Sequence, residues 1–200
     1  MKNTQTYSPS AFTKKSMYKL LTSTVVPRPI ALVTTLNNDK VLNIAPFSYF
    51  NIVTTKPARL SIVIGYNKGK RKDTAHNILA HKDFVIHIVT EDILYDANQT
   101  AASLPHNESE LTLTHFTVTD ADKVRGKIIE NTKVYFECTL DKHVSFEDTD
   151  MFIGMIKHIG LAESIIEDDR INTNALKPIA RLSGDGYAEI STPIHLKRPE

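Results

Sequence analysis

Two hundred residues, 41% of them hydrophobic and 24% charged, make an ordinary globular chain long enough to bury a core. A formal net charge of +1 excludes the basic balance of a nucleic-acid binder, and no apolar run is long enough for a membrane-spanning helix. The single cysteine, Cys138, excludes an internal disulfide and a cysteine-rich zinc site and reads as a buried structural thiol.

The opening residues are polar and lack the apolar core of a secretory leader, so a cytoplasmic protein without nucleic-acid or membrane partners is expected. Met1 to Lys15 read as a surface arm. Ser16 can cap a short helix through Thr22, with Met17, Leu20 and Leu21 at helical spacing. Pro27 and Pro29 force the chain out of it.

Ile30 to Leu36 reads as a strand, Asn37 to Lys40 as a turn, and Val41 to Ile44 as a hairpin partner. The stretch Asn43-Ile-Ala-Pro-Phe-Ser-Tyr-Phe-Asn51 then reads as a loop that keeps its aromatic residues. Pro46 pushes Ala45 towards an extended backbone. Two readings are open. Free backbone N–H groups, aromatic walls and the Ser48 hydroxyl suit a flat polar ring with a phosphate tail, whereas the same residues also suit a plain core strand. Arg59 to Tyr66 follows as an apolar strand expected to be buried on both faces.

Asn67 to Thr74 is the most basic segment. Lys70, Arg71 and Lys72 bring cations, Asp73 or Thr74 can cap a helix from Ala75, and a helix N-terminus adds N–H donors. This is either a phosphate site or a solvated charge run. Phe84 to Val89 reads as a strand and Glu91 to Ser103 as a helix. Leu104 to Asp122 is a long irregular excursion, of the kind that is usually functional. Strands are expected at Val134–Leu140 and Met151–Ile159, with a turn at Glu147–Asp150. Gly160 is read as a bulge or corner. Arg181 with Ser183-Gly-Asp-Gly186 reads either as an anion contact or as a tight hairpin turn.

The histidines lack metal-ligand spacing, so no metal site is expected, and His87 reads as a packed residue. No nucleophile elbow surrounds Ser48, and neither a Walker motif nor a dinucleotide fingerprint is present. About seven strands with few helices point to a mainly antiparallel sheet curled into a barrel.

The order Val26-Pro-Arg-Pro-Ile-Ala-Leu-Val-Thr-Thr35, Asn43 to Asn51, and Lys72-Asp-Thr-Ala-His-Asn-Ile78 resembles the flavin reductase-like, FMN-binding split-barrel family. Phe84 to Ile88, Phe136 to Leu140, Phe152 to His158 and Arg181-Leu-Ser-Gly184 extend the resemblance over nearly the whole chain. Ser183-Gly184 stands where members often show Gly-Gly, and Glu108 to His115 departs from the usual pattern.

The resemblance implies a mainly β fold, a six-stranded antiparallel Greek-key split barrel with a few short helices, at residues 16–190. Residues 1–15 would be an arm and 191–200 a tail. It implies a homodimer holding FMN. Asn43, Ala45, Pro46, Phe47, Ser48, Tyr49 and Phe50 would lie along the flavin, mostly through backbone atoms. Ser48 would bond the phosphate or ribityl chain, and Lys72, Asp73 and Thr74 would hold the phosphate. Thr34 and Thr35 would approach the isoalloxazine, and Arg28 or Arg181 its pyrimidine edge. The implied function is an oxidoreductase that passes electrons or hydride through FMN, with NAD(P)H as donor and no side chain required as acid or base. The other reading is an FMN-binding electron carrier, flavoredoxin-like, or a flavin-storage protein.

Overall fold

The computed structural model describes residues 4–190 and 193–199. Residues 191, 192 and 200 of the expected tail and 1–3 of the expected arm lie outside the described residues.

Helix α1 spans Lys14–Thr24, starting two residues before the expected Ser16, because the Thr13 side chain takes the cap and accepts from Ser16 N at 3.2 Å. It lies on the surface, with Thr22 its buried residue. No helix among the described residues is long and apolar enough to cross a membrane.

Seven strands form the main sheet: β1 (Ala31–Leu36), β2 (Leu42–Phe47), β3 (Phe50–Thr55), β4 (Ala58–Gly65), β5 (Asp83–Ile88), β6 (Val134–Ser145) and β7 (Thr149–Leu161). Their order is β2-β1-β5-β6-β7-β4-β3, and every neighbouring pair is antiparallel. The two edge strands, β2 and β3, are consecutive in the chain and joined by Ser48 and Tyr49 alone. A flat sheet would hold its edges six strand spacings apart, so this short joint requires the sheet to curl until its edges meet.

That joint corrects two expectations. The stretch read as an aromatic loop is instead the end of one strand and the start of another. The main sheet accordingly carries seven strands rather than the six of the expected barrel.

The core divides by strand alternation. Val33, Ile62, Ile64, Ile78, Phe84, Ile86 and Phe152 fill one cluster, and Ile30, Leu32, Ile44, Val89, Ile129 and Ile179 fill a second on the opposite face of β1. So β1 and β5, not β4, are buried on both faces; β4 buries Leu60, Ile62 and Ile64 and leaves the alternate residues partly exposed. Strand β7 runs through Gly160, and its register shifts fall between Ile153 and Gly154 and between Ile156 and His158. A Cβ at Gly160 would enter the Tyr135 ring, and one at Gly154 would meet Phe84 Cζ at 2.5 Å, so both glycines make room for neighbouring rings. Cys138 is buried, which pushes its thiol up to about 12.

Helix α2 spans Asp73–His81 and α3 spans Leu94–Gln99. The second helix is shorter than expected: a 3-10 turn, Glu91–Ile93, precedes it, and Thr100 ends it. Near the end of the long excursion, Val118–Asp120 pairs with Lys127–Ile129 beyond it. Arg28–Pro29, Ile179–Arg181 and Tyr187–Glu189 make a small separate sheet.

His87 ties these layers together. It is fully buried, with Nδ1 3.1 Å from Leu32 O and Nε2 accepting from Ile129 N at 3.1 Å. The ring is therefore neutral with its proton on Nδ1. Burial lowers its pKa from 6.5 to about 4, against a raising effect of the Leu32 carbonyl. The unfolded chain binds this proton more readily, so the stabilisation is present above pH 6.5 and is lost as pH falls towards 4. Lowering pH from 7 to 5 should cost about 2 kcal/mol through this residue. Denaturant midpoints at the two pH values check this; a His87→Gln variant should lack that component, and equal sensitivity in both proteins would refute it.

Candidate functional site

The basic segment is built as a tight turn. Asn67 N donates to Lys70 O (2.8 Å) and Lys70 N to Asn67 O (2.9 Å), while Lys68 and Gly69 between them both take positive φ. Glycine supplies one of those two left-handed positions without a steric cost. The chain then enters α2, whose cap residue Lys72 makes no side-chain capping bond. The N–H groups of the first turn are therefore left for another acceptor, at the positive end of a nine-residue helix.

A buried carboxylate holds this segment. Asp150, at the start of β7, has a fully buried side chain and accepts from Arg71 Nε at 2.8 Å and from Arg71 Nη2 at 3.2 Å. His143 Nε2 lies 2.6 Å from Oδ1, the same oxygen that accepts from Arg71 Nη2, and its ring stacks on Phe152, while Arg71 lies over Tyr66. Burial alone would raise the Asp150 carboxyl, but the Arg71 and His143 hydrogen bonds outweigh it and hold the group down at about 2.

Opposite the turn stands the edge strand β2. Ile44 N donates to Glu110 Oε2 at 2.9 Å and not to β1. Alternation then turns the backbone N positions of Leu42, Ile44 and Pro46 away from β1, while the Leu42 and Ile44 side chains stay in the core. Glu110 occupies the Ile44 donor and Pro46 has none, so neither of these two positions offers a free N–H group. The edge is closed to further strand pairing by the same two residues. Burial raises the Glu110 carboxyl, against the lowering effect of the Ile44 N–H.

Between β2 and the turn lies a cleft of about 440 Å³, of a size usual for small-molecule sites. Asn43, Ala45, Pro46, Lys72, Asp73 and Thr74 line it together, as do Lys68, Lys70 and Arg71. Residues 100–104, after α3, and Glu110 complete its rim. Asn43 Nδ2 donates to the buried Thr74 Oγ1 at 2.8 Å and approaches Thr35 Oγ1 at 3.3 Å, which also accepts from Asn77 Nδ2 at 3.0 Å. Lys72 Nζ lies 5.9 Å from the centre of the Phe47 ring.

Other expected site residues lie elsewhere. Thr34 is fully buried and its hydroxyl donates to Lys127 O, so it does not reach the cleft. Thr35 is buried too and orients the two asparagines from behind. Phe47 is a core residue beneath Lys72, and Phe50 packs on the same core. Ser48 lies 3.4 Å from Arg28 Nε, and Tyr49 is exposed at the joint between the sheet edges. Arg28 itself is buried, with its amino groups donating to Thr22 O, Val25 O and Leu182 O, so it fastens the end of α1. Arg181 donates to Gly184 O and Gly186 O and covers Tyr187. Neither arginine lines the cleft.

Sequence reasoning missed Asp150, placed in a turn, and Glu110, placed in the long irregular excursion. For Asp150 the available signal was an acid beside an apolar strand. Asp122, Glu137 and His158 also converge, but Glu137 is buried accepting the N–H groups of Asp122 and Lys123. Its oxygens anchor that turn.

A family model described as a flavin reductase like domain matches residues 22–175. The uncharacterized protein YwrF of Bacillus subtilis is 40% identical over 193 residues, covering 92% of this chain and 94% of its own. Among solved structures, nitrilotriacetate monooxygenase component B from Bacillus cereus superposes with a TM-score of 0.94 at 36% identity, covering 98% of this chain and 100% of that one. The 2-nitrobenzoate 2-nitroreductase NbaA of Pseudomonas fluorescens gives 0.89 at 29% identity, over 98% and 96% of the two chains.

Removing the Asp150 charge should release Arg71 and loosen the basic turn. Asp150→Asn is expected to lose about 1 kcal/mol of stability, the order of a lost charge-assisted hydrogen bond, because the Arg71 left unpaired is a third exposed. It should also be cut by trypsin within Lys68–Lys72 sooner than the wild type. Unchanged cleavage order and stability would refute the anchoring role.

Proposed function

We propose that this chain, which belongs to the flavin reductase like domain family, is an FMN-binding oxidoreductase that passes electrons through the flavin, with NAD(P)H as donor. The observation that carries the reading is the basic turn at the open N-terminus of α2, facing β2 across one cleft. A phosphate dianion fits there. Lys72 and the free amino group of Arg71 supply charge, the α2 N–H groups supply directed donors, and the Thr74 hydroxyl, already accepting from Asn43, retains its own proton to donate. Ala45 and Pro46 offer an apolar wall for a flat ring beside that phosphate.

When bound, FMN supplies the hydride and electron chemistry itself. The chain's work is to bind and orient. Asp150 fixes Arg71 so that its charge reaches the cleft from a set position, and Thr35 fixes Asn43 and Asn77. Glu110 is held by a backbone N–H and reads as a structural clamp on β2 rather than a proton donor.

The active form is a homodimer in this reading. Strand β3 is exposed on both faces, with Ile52 and Val53 uncovered, and Tyr18, Leu20 and Leu21 of α1 are exposed as well. A second copy is the partner that would cover such an edge. Ile52→Asp should bring the sedimentation mass to that of one chain, and a wild-type mass of one chain would count against the dimer.

The Lys72→Ala, Thr74→Ala double variant should bind FMN on the order of 100-fold more weakly while riboflavin binding changes little, since two charge-assisted contacts to phosphate are lost. Wild-type FMN affinity in that variant would refute the phosphate assignment. Anaerobic mixing of the flavin-loaded protein with NADH or NADPH should bleach the flavin. No bleaching by either would favour a carrier reduced by another protein.

A further inference from the structure

Strands β6 and β7 fall out of step once between Ile156 and His158. Ile156 stands opposite Cys138, so an unbroken ladder would set Lys157 opposite Glu137 and give that buried carboxylate an ammonium partner. The bulge sets His158 opposite Glu137 instead, and Lys157 Nζ lies 3.4 Å from Met155 Sδ. A bulge re-aims a side chain in this way, and bulges are frequent beside functional sites. Residues directly opposite on neighbouring strands have side chains in reach of each other.

Glu137 is fully buried. Its Oε1 accepts from Asp122 N at 3.2 Å and its Oε2 from Lys123 N at 2.5 Å, which brings the Asp122 side chain to His158. Each Glu137 oxygen holds one N–H and keeps a second lone pair. Among the described residues no lysine or arginine makes an ion pair with Glu137 or Asp122, so two carboxylates, one of them buried, share a single imidazole. A buried charge without a cation against it is costly. His158 Nε2 lies 3.5 Å from Asp122 Oδ2, too far for a strong hydrogen bond. That is the separation of two ligands on one tetrahedral zinc: bonds of about 2.1 Å at the tetrahedral angle put nitrogen and oxygen about 3.4 Å apart. One ligand atom from each of Asp122, Glu137 and His158 lies within 4.8 Å of the other two.

We propose that Asp122, Glu137 and His158 bind one zinc ion, with water in the fourth position. One imidazole nitrogen and two carboxylate oxygens suit zinc, whereas calcium and magnesium take six or more oxygens. The ion neutralises the buried Glu137 charge and fastens the turn from Ala121 to Gly126, closed by Ala121 N donating to Gly126 O, onto β6 and β7. None of the three residues lines the cleft, so the site stands apart from the flavin reading.

The test is calorimetric titration of zinc chloride into the full chain after chelator treatment and buffer exchange. One ion should bind with a dissociation constant on the order of 1 μM. At about 100 times that concentration the melting temperature should rise by about 5 °C. His158→Ala and, separately, Asp122→Ala should each weaken binding by about tenfold or more and remove the thermal shift. Both side chains are partly exposed, at 39% and 67%, so the metal-free variants should melt with the wild type. Cobalt(II) gives a second readout: the wild type should develop a visible absorption band that both variants lack, which mere screening of exposed carboxylates would not produce. A wild-type protein that binds no zinc would overturn the assignment. Binding that both variants keep at wild-type affinity would overturn it too, and would place the ion on other surface histidines.

Discussion

Two residues, Ser48 and Tyr49, join the opposite edges of a seven-stranded sheet, and most of the architecture follows from how short that joint is. The sheet must curl to satisfy it. Curling encloses the cluster around Phe84 and Phe152 on one side. On the other side it leaves β1 covered by the second cluster, with His87 bridging from Leu32 to Ile129. It also leaves β2 as an edge, and an edge strand must have its free polar groups managed. Here Glu110 and Pro46 do so, and the strand becomes one wall of a cleft instead of a site for strand addition.

The other wall depends on charge fixed in place. A run of lysines and arginine in solvent would be mobile and screened. Arg71 is instead held by two oxygens of a buried aspartate, itself braced by His143 against Phe152. The turn from Asn67 to Lys70 closes on itself, and α2 begins immediately after it without a side-chain cap. Cations, open N–H groups and a helix dipole therefore converge from one rigid segment, which is what recognition of a phosphate needs. The same segment faces a second groove on its far side.

Much of this was legible in the residues. The basic run before Thr74 announced a helix N-terminus with cations because its composition is local, and local signals survive folding. Asn43, Pro46 and Lys72 to Thr74 were named together, and they do line one cleft. What failed was non-local. Thr34 and Thr35 sit at a strand end, but only the pairing of β1 with β2 and the packing of α2 show that both are buried behind the site. Arg28 looked available until the end of α1 was placed over it. Asp150 lies 79 residues from its partner Arg71, and no local pattern connects them. The two-residue joint was hidden because Phe47 to Phe50 carries none of the glycine or asparagine that usually marks a turn.

The central claim is that the cleft recognises a flavin through its phosphate. The most direct measurement is equilibrium binding of FMN and of riboflavin to the wild-type protein at one salt concentration. The account predicts that FMN binds on the order of 100-fold more tightly, and that the difference shrinks as salt is raised. Equal affinity for the two, or no binding of either, would contradict it.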